Sequence, residues 1–201
     1  MKILVIGATG TIGGAVAQAL EARHEVLGAS RARSAFTVDL ADPESIKRLY
    51  GKVGRLDAVV SAAGQAVFRP LLGLSDADFA VGITNKLMGQ VNLVRFGVEV
   101  LADGGSFTLT SGILSRQPMP SGAAISMVNA GIEGFVRAAA LELPRGLRIN
   151  AVAPGWVRET LVAMKMDPSP GMPAAQLAHT YLRAVEESMT GQILDAVATA
   201  G

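Results

Sequence analysis

The first fourteen residues, MKILVIGATGTIGG, constrain this chain more than any other stretch. Lys2 to Ile6 read as a buried strand. Gly7, Gly10 and Gly13 follow at even spacing, and a helix-like run begins before they end. A strand, a glycine-rich turn and a helix N-terminus form a phosphate cradle. Glycines let the chain turn tightly and let backbone N–H groups approach a pyrophosphate with no Cβ in the way. The fold is therefore expected to be organised around a dinucleotide. The uncharged run Ile3 to Leu20 behind Met-Lys also resembles a signal peptide, but four glycines and two threonines interrupt it. The βα reading is preferred, because the rest of the chain needs this strand.

At 201 residues the chain is expected to be one domain, 1–201, with a substantial core. Half of it is hydrophobic and only 4% aromatic, so Ala, Val, Leu and Ile must build that core. A net charge of +1 argues against a nucleic-acid partner, which normally requires a basic patch. No other segment approaches transmembrane length, so no membrane partner is expected. With zero cysteines there is no disulfide framework, thiolate nucleophile or Cys-based metal site, and no metal is expected. This composition suits a cytoplasmic location.

Strand and helix signals alternate, the pattern of a parallel sheet covered on both faces. Strands are expected at Lys2–Ile6, Glu25–Ala29, Ala35–Val38, Leu56–Ser61, Ser106–Thr110, Arg148–Val152 and Gln192–Ala196. The first helix spans about Ile12 to Ala22. Asp42-Pro43 starts another as N-cap and first helical residue, with Ile46, Leu49, Tyr50 and Val53 as its apolar stripe. Ser75-Asp76-Ala77-Asp78 forms a capping box with Asp for Glu, opening a long helix to about Leu101. A second long helix runs from about Ala123 to Leu143, where Pro144 ends it. Residues 156–173, rich in Pro and Met, read as a loop or lid before a helix at Ala174–Glu186.

The end of the second strand selects the cofactor. NAD enzymes usually carry Asp or Glu there for the ribose 2′-OH. This chain has Ser30, Arg31 and Arg33. A carboxylate repels a 2′-phosphate, whereas a guanidinium pairs with it bidentately, so NADP(H) is favoured over NAD(H).

These motifs, in their order and spacing, resemble the short-chain dehydrogenase/reductase family over nearly the full length. The glycine loop (Gly7, Thr9, Gly10, Thr11, Ile12, Gly13) is the first match. Asp39-Leu40 resembles the family's adenine contact, and Ser61-Ala62-Ala63-Gly64 its Asn-Ala-Gly element. Asn85, in ITNKLMGQ, falls where the family has an Asn that shapes the active-site helix. Thr110-Ser111 ends a strand where the family has its catalytic Ser. AGIEGFVRAAALEL, from Ala130, resembles the helix after the catalytic Lys. RINAVAPGWVRET, from Arg148 to Thr160, resembles the segment flanking the nicotinamide, which implies cofactor contacts from Pro154, Gly155, Val157 and Thr160. SMTGQILDA, from Ser188, resembles the C-terminal strand. The resemblance implies a Rossmann-type doubly wound parallel sheet of about seven strands with helices on both faces.

Two departures stand out. The glycine loop reads G-x-x-G-x-x-G, a spacing commoner in other branches of the family. More important, aligning AGIEGFVRAAALEL puts Ile125 and Asn129 at the positions of the family's Tyr-x-x-x-Lys pair. No register restores it: the only tyrosines are Tyr50 and Tyr181, and no Lys lies between Lys86 and Lys165. A phenol has a pKa of about 10 and needs a nearby cation to act at neutral pH. Asn129 has no charge to supply, Ile125 has no proton to give, and losing a positioned acid costs about 10² to 10⁴ in rate. Ser111 alone is a weak acid.

Among substitutes, Lys86 follows Asn85, but one residue along an α-helix faces about 100° away, so it reads as a solvated lysine. Glu133, Arg158 and Glu159 read as surface charges, Ser126 as a helix residue without chemistry, and Trp156 as lid packing. Three functions fit: an NADP(H)-dependent oxidoreductase with an altered proton donor and unknown small-molecule substrate; a non-catalytic dinucleotide-binding redox sensor or subunit partner; or an epimerase-like enzyme, which the short length disfavours. The Ala- and Gly-rich long helices predict a homodimer or homotetramer.

Overall fold

The computed structural model describes residues 1–198. Seven strands, all parallel, form one sheet: β1 Lys2–Ile6, β2 Glu25–Ser30, β3 Phe36–Thr37, β4 Leu56–Ser61, β5 Leu101–Thr110, β6 Arg148–Pro154 and β7 Ile193–Ala196, in the order β3-β2-β1-β4-β5-β6-β7. The expected doubly wound fold is present. The chain leaves β1 toward one edge, then restarts at β4 toward the other. That reversal opens a crevice beyond the C-terminal ends of β1 and β4.

Alternation along each strand feeds two cores. Ile3 and Val5 of β1 face one layer, against α1 (Thr11–Glu21) and α7 (Ala174–Glu186). Leu4 and Ile6 face the other, against α2 (Pro43–Val53), α4 (Met88–Gly97) and α5 (Ala123–Ala139). Asp42 caps α2 by accepting from the Glu44 N–H at 2.9 Å, as its Asp-Pro start predicts. Ser75 and Asp78 form the expected capping box on α3 (Asp76–Val81).

The helix expected to run unbroken from Asp76 to Leu101 is broken in the middle. Gly82–Leu87 form a π-helical turn between α3 and α4, and α4 stops at Gly97. The Thr84 hydroxyl donates back to the Ala80 carbonyl at 2.7 Å within this stretch. A π-turn inserts an extra residue and so rotates every side chain near it relative to an ideal helix. β5 begins five residues earlier than expected, because Leu101 already pairs with Leu56 before a register shift. The Pro/Met-rich segment also holds a short helix, α6 (Arg158–Ala163). It is pinned by mutual bonds of 2.9 Å, Met172 N–H to Trp156 O and Arg158 N–H to Met172 O.

Candidate functional site

The residue after each central strand (Gly7, Ala62, Ser111 and Gly155) borders the crevice. Two cavities lie along it and share Ala62, Ala63 and Gly64 as a common wall.

The first cavity, about 300 Å³, is lined by Gly7, Thr9, Gly10, Ser30, Arg31, Leu40 and Asn85 beside that wall. Gly7 turns with φ +86°, and a Cβ on Gly13 would stand 2.0 Å from the Gly7 carbonyl oxygen. The third glycine therefore lets α1 pack directly onto the turn. Helix α1 begins at Thr11 with no side-chain cap and no acidic residue in its first turn. Its leading N–H groups and positive dipole end are left for an anion. Such a turn and helix start leave room for an anion close to the backbone. Thr11 is exposed at the helix start, while Ile12 faces the second cavity.

At the far end of this cavity, the Ser30 hydroxyl accepts from the Arg33 N–H at 3.2 Å and from the Ser34 hydroxyl at 2.8 Å. This turn presents Arg31 to the cavity. Arg33 is exposed and does not line it. Asp39 also stays outside the lining. Its carboxylate accepts from Ala41 N–H at 2.9 Å and lies 3.9 Å from Arg31.

The second cavity, about 380 Å³, brings together Ile12, Ser111, Ile125, Asn129, Pro154, Gly155, Val157 and Thr160, all named as site positions from sequence, with Lys86 and Trp156, which are not, and Phe68. Ile125 and Asn129 face it from α5. Asn129 is buried, and its Oδ1 has no hydrogen-bond partner. Ser111 is also buried. Its hydroxyl is 3.3 Å from Glu133 Oε1 and 3.4 Å from the Val152 carbonyl, so its single proton is directed at acceptors in the protein. Asn85 accepts from the Gln65 N–H at 2.8 Å and so ties the β4 loop to the π-turn.

Two side chains are not where the sequence reading puts them. Lys86 is buried, not solvated. The π-turn swings it inward, and its Nζ donates to the Ser111 carbonyl at 3.0 Å. A Cβ at Gly64 would lie 2.6 Å from Lys86 Cγ, so that glycine makes room for the lysine stem. Burial lowers the Lys86 pKa from 10.5 to about 8. Glu133 is likewise buried rather than a surface charge. It accepts from Ser115 at 2.5 Å and from Arg137 at 3.2 Å, with Arg116 3.5 Å away. It anchors the connection between β5 and α5.

Of the remaining candidates, Glu159 accepts from the Ala174 N–H at the start of α7, Arg158 is exposed, and Ser126 is half-buried with its hydroxyl unpartnered. Trp156 packs on Phe68 with ring centroids 6.4 Å apart, both rings bordering the cavity. The chain's tyrosines are no substitute acid. Tyr50 donates to the Leu93 carbonyl within the core. Tyr181 is fully buried behind the sheet, 2.6 Å from Thr110 Oγ1, and burial raises its pKa.

A family model described as enoyl-(acyl carrier protein) reductase matches residues 7–194. The chain belongs to the short-chain dehydrogenase/reductase family. Its fold is similar to that of the protein lin1944 from Listeria innocua, 42% identical, with a TM-score of 0.94 over 98% of this chain and 99% of that one. It is also similar to a small-chain dehydrogenase solved in complex with NADPH, 28% identical, with a TM-score of 0.88 over 98% of this chain and 96% of that one. Among curated proteins it is similar to hydroxynaphthalene reductase arp2 of Aspergillus fumigatus, 30% identical over 71% of this chain and 54% of the relative. The chain thus spans about half the length of the curated relatives it matches. The crevice thus combines the glycine turn at Gly7–Gly13 with Ile125 and Asn129 of α5. No helix among the described residues is long and apolar enough to cross a membrane.

Proposed function

We propose that this chain is an NADP(H)-dependent oxidoreductase acting on a small carbonyl compound through a non-standard proton donor. The observation that carries the reading is the shared wall Ala62–Gly64. It joins a phosphate-shaped cavity bordered by Arg31 to an apolar cavity bordered by Ser111 and Asn129. A related dehydrogenase in complex with NADPH supports the same choice of cofactor.

In this reading the turn Gly7–Gly13 and the α1 N-terminus hold the pyrophosphate, and Arg31 pairs with the 2′-phosphate. Leu40 borders the adenine end, and Pro154 to Thr160 close over the nicotinamide end. The unpartnered Asn129 Oδ1 accepts a hydrogen bond there from an amide or hydroxyl. The bound cofactor supplies hydride, which leaves the protein to orient the carbonyl and supply one proton.

Incubation with an apolar ketone and NADPH deuterated at the transferable position tests this directly. Deuterium on the carbinol carbon of the product alcohol is expected. NADPH binding without labelled alcohol would favour the second reading, a non-catalytic dinucleotide-binding protein, to which Ile125 at the Tyr position points.

We also propose a homodimer or homotetramer. Val81, Ile83 and Met88 on the α3–α4 stretch, and Met127 on α5, are each more than a third exposed. Apolar side chains at that exposure on neighbouring helices suit burial against a second copy. Sedimentation at micromolar concentration should show no monomer peak; a purely monomeric profile refutes it.

A further inference from the structure

The reductase reading leaves the proton unassigned, and the second cavity narrows the choice. Lys86 is the one ionisable side chain among the described residues lining it. Its ammonium carries three protons, one of them engaged by the Ser111 carbonyl at 3.0 Å. The two hydroxyls at the end of β5 are committed elsewhere. Ser111 faces Glu133 and Val152, and Thr110 donates to the Ser61 carbonyl at 2.5 Å. No carboxylate among the described residues forms a salt bridge with Lys86. The nearest linked charge is Glu133, across Ser111, and Arg116 and Arg137 lie on that carboxylate. A buried ammonium without a counter-ion is unfavourable for a fold and suited to stabilising a developing oxyanion.

We propose that Lys86 is the proton donor of this cleft, acting on the oxygen of a carbonyl substrate with an apolar, ring-sized body. The proposal rests on the reductase reading above. The substrate class follows from the walls, which are mainly Phe68, Ile113, Leu114, Ile125, Trp156 and Val157. The carbonyl carbon takes a hydride and is reduced by two electrons while the reduced nicotinamide is oxidised. The C=O π pair moves to oxygen, an N–H bond of Lys86 breaks, and an O–H bond forms. The neutral amine left behind is reprotonated from solvent. The π-turn is what makes this geometry available, because it aims position 86 at the cavity.

The test has two arms. In the cofactor-free protein, Lys86 is labelled by trace acetic anhydride across pH and read by peptide mass spectrometry. Its reactivity should rise with a midpoint near pH 8, with protection by saturating NADPH. A midpoint in the ordinary lysine range, or no protection, overturns the assignment without any turnover measurement. In the second arm, NADPH and 2-acetonaphthone are supplied to the wild type, Lys86→Met and Lys86→Arg. Lys86→Met should lose about 10²- to 10⁴-fold in kcat, with NADPH affinity changed less than about threefold. Lys86→Arg should stay equally slow, because its guanidinium does not release a proton near neutral pH. The wild-type kcat/KM should fall as pH rises past about 8. Unchanged kcat in Lys86→Met, or a flat wild-type profile, overturns the proposal alone. NADPH binding without alcohol formation by the wild type overturns the reductase reading, and this proposal with it.

Discussion

Lys86→Met is expected to unfold at higher denaturant than the wild type at pH 7, by a net of about 2 kcal/mol. Burial holds the Lys86 pKa at about 8 against an ordinary 10.5. At about 1.4 kcal/mol per pKa unit, keeping this ammonium in the fold costs about 3 kcal/mol. The hydrogen bond to Ser111 O returns about 1 kcal/mol of that. The sign follows from proton counting. Between pH 8 and 10.5 the unfolded chain keeps the lysine proton and the folded chain does not. Wild-type stability therefore gains from rising pH across that window. Below it both states are protonated and the penalty is constant. Above it both are neutral and the penalty is gone. The advantage of Lys86→Met should be full at pH 7 and should shrink by pH 10, read as the difference between the two proteins at each pH. A mutant no more stable than the wild type at pH 7, or an advantage unchanged at pH 10, contradicts this account of the buried charge. A gain in stability joined to a loss of turnover marks a residue kept for function.

Much of the fold is legible in the sequence because local signals and tertiary packing agree. The buried run Lys2–Ile6 followed by glycines at 7, 10 and 13 leaves a strand, turn and helix as the consistent reading. Asp42-Pro43 and Ser75-x-x-Asp78 mark helix starts through hydrogen bonds made within four residues. The cleft positions after β1, β4, β5 and β6 follow from the strand ends. What escapes is set by distant contacts. The π-turn at Gly82–Leu87 cannot be read from a period of 3.6, and it turns inward a lysine that a regular helix would leave solvated. Val81, Ile83 and Met88 are exposed there, while Lys86 is buried. Glu133 escapes for a related reason. Arg137, one turn on, is a local partner that also suits a surface pair, whereas Ser111, Ser115 and Arg116 lie 17 to 22 residues away, so no local pattern shows that the carboxylate is buried. The one available signal for Lys86 was Gly64, whose missing side chain leaves space for the lysine stem.

Arg31→Ala is expected to weaken NADPH binding by about tenfold while changing NADH affinity by less than about threefold. A charge-assisted pair with a phosphate contributes about 1.5–3 kcal/mol when well formed. The Arg31 side chain is 61% exposed, which places it at the lower end of that range. Its neighbour adds to the asymmetry. Asp39 lies 3.9 Å from Arg31, and removing the guanidinium leaves that carboxylate unopposed near the 2′-phosphate. NADH has no phosphate to repel. Arg33→Ala, outside the cavity lining, should leave both affinities nearly unchanged. Equal losses for the two cofactors in Arg31→Ala would mean that Arg31 does not read the 2′-phosphate.

Both the reductase reading and the role of Lys86 require a dinucleotide in the joined cavities, with its nicotinamide end beside Trp156. Trp156, the chain's single tryptophan, borders the second cavity and can transfer excitation energy to a bound reduced nicotinamide. Titration of the wild type with NADPH should give saturable quenching of Trp156 with sensitised nicotinamide emission, at lower concentration than with NADH. Neither signal appearing at millimolar concentration of either cofactor would contradict the account at its root.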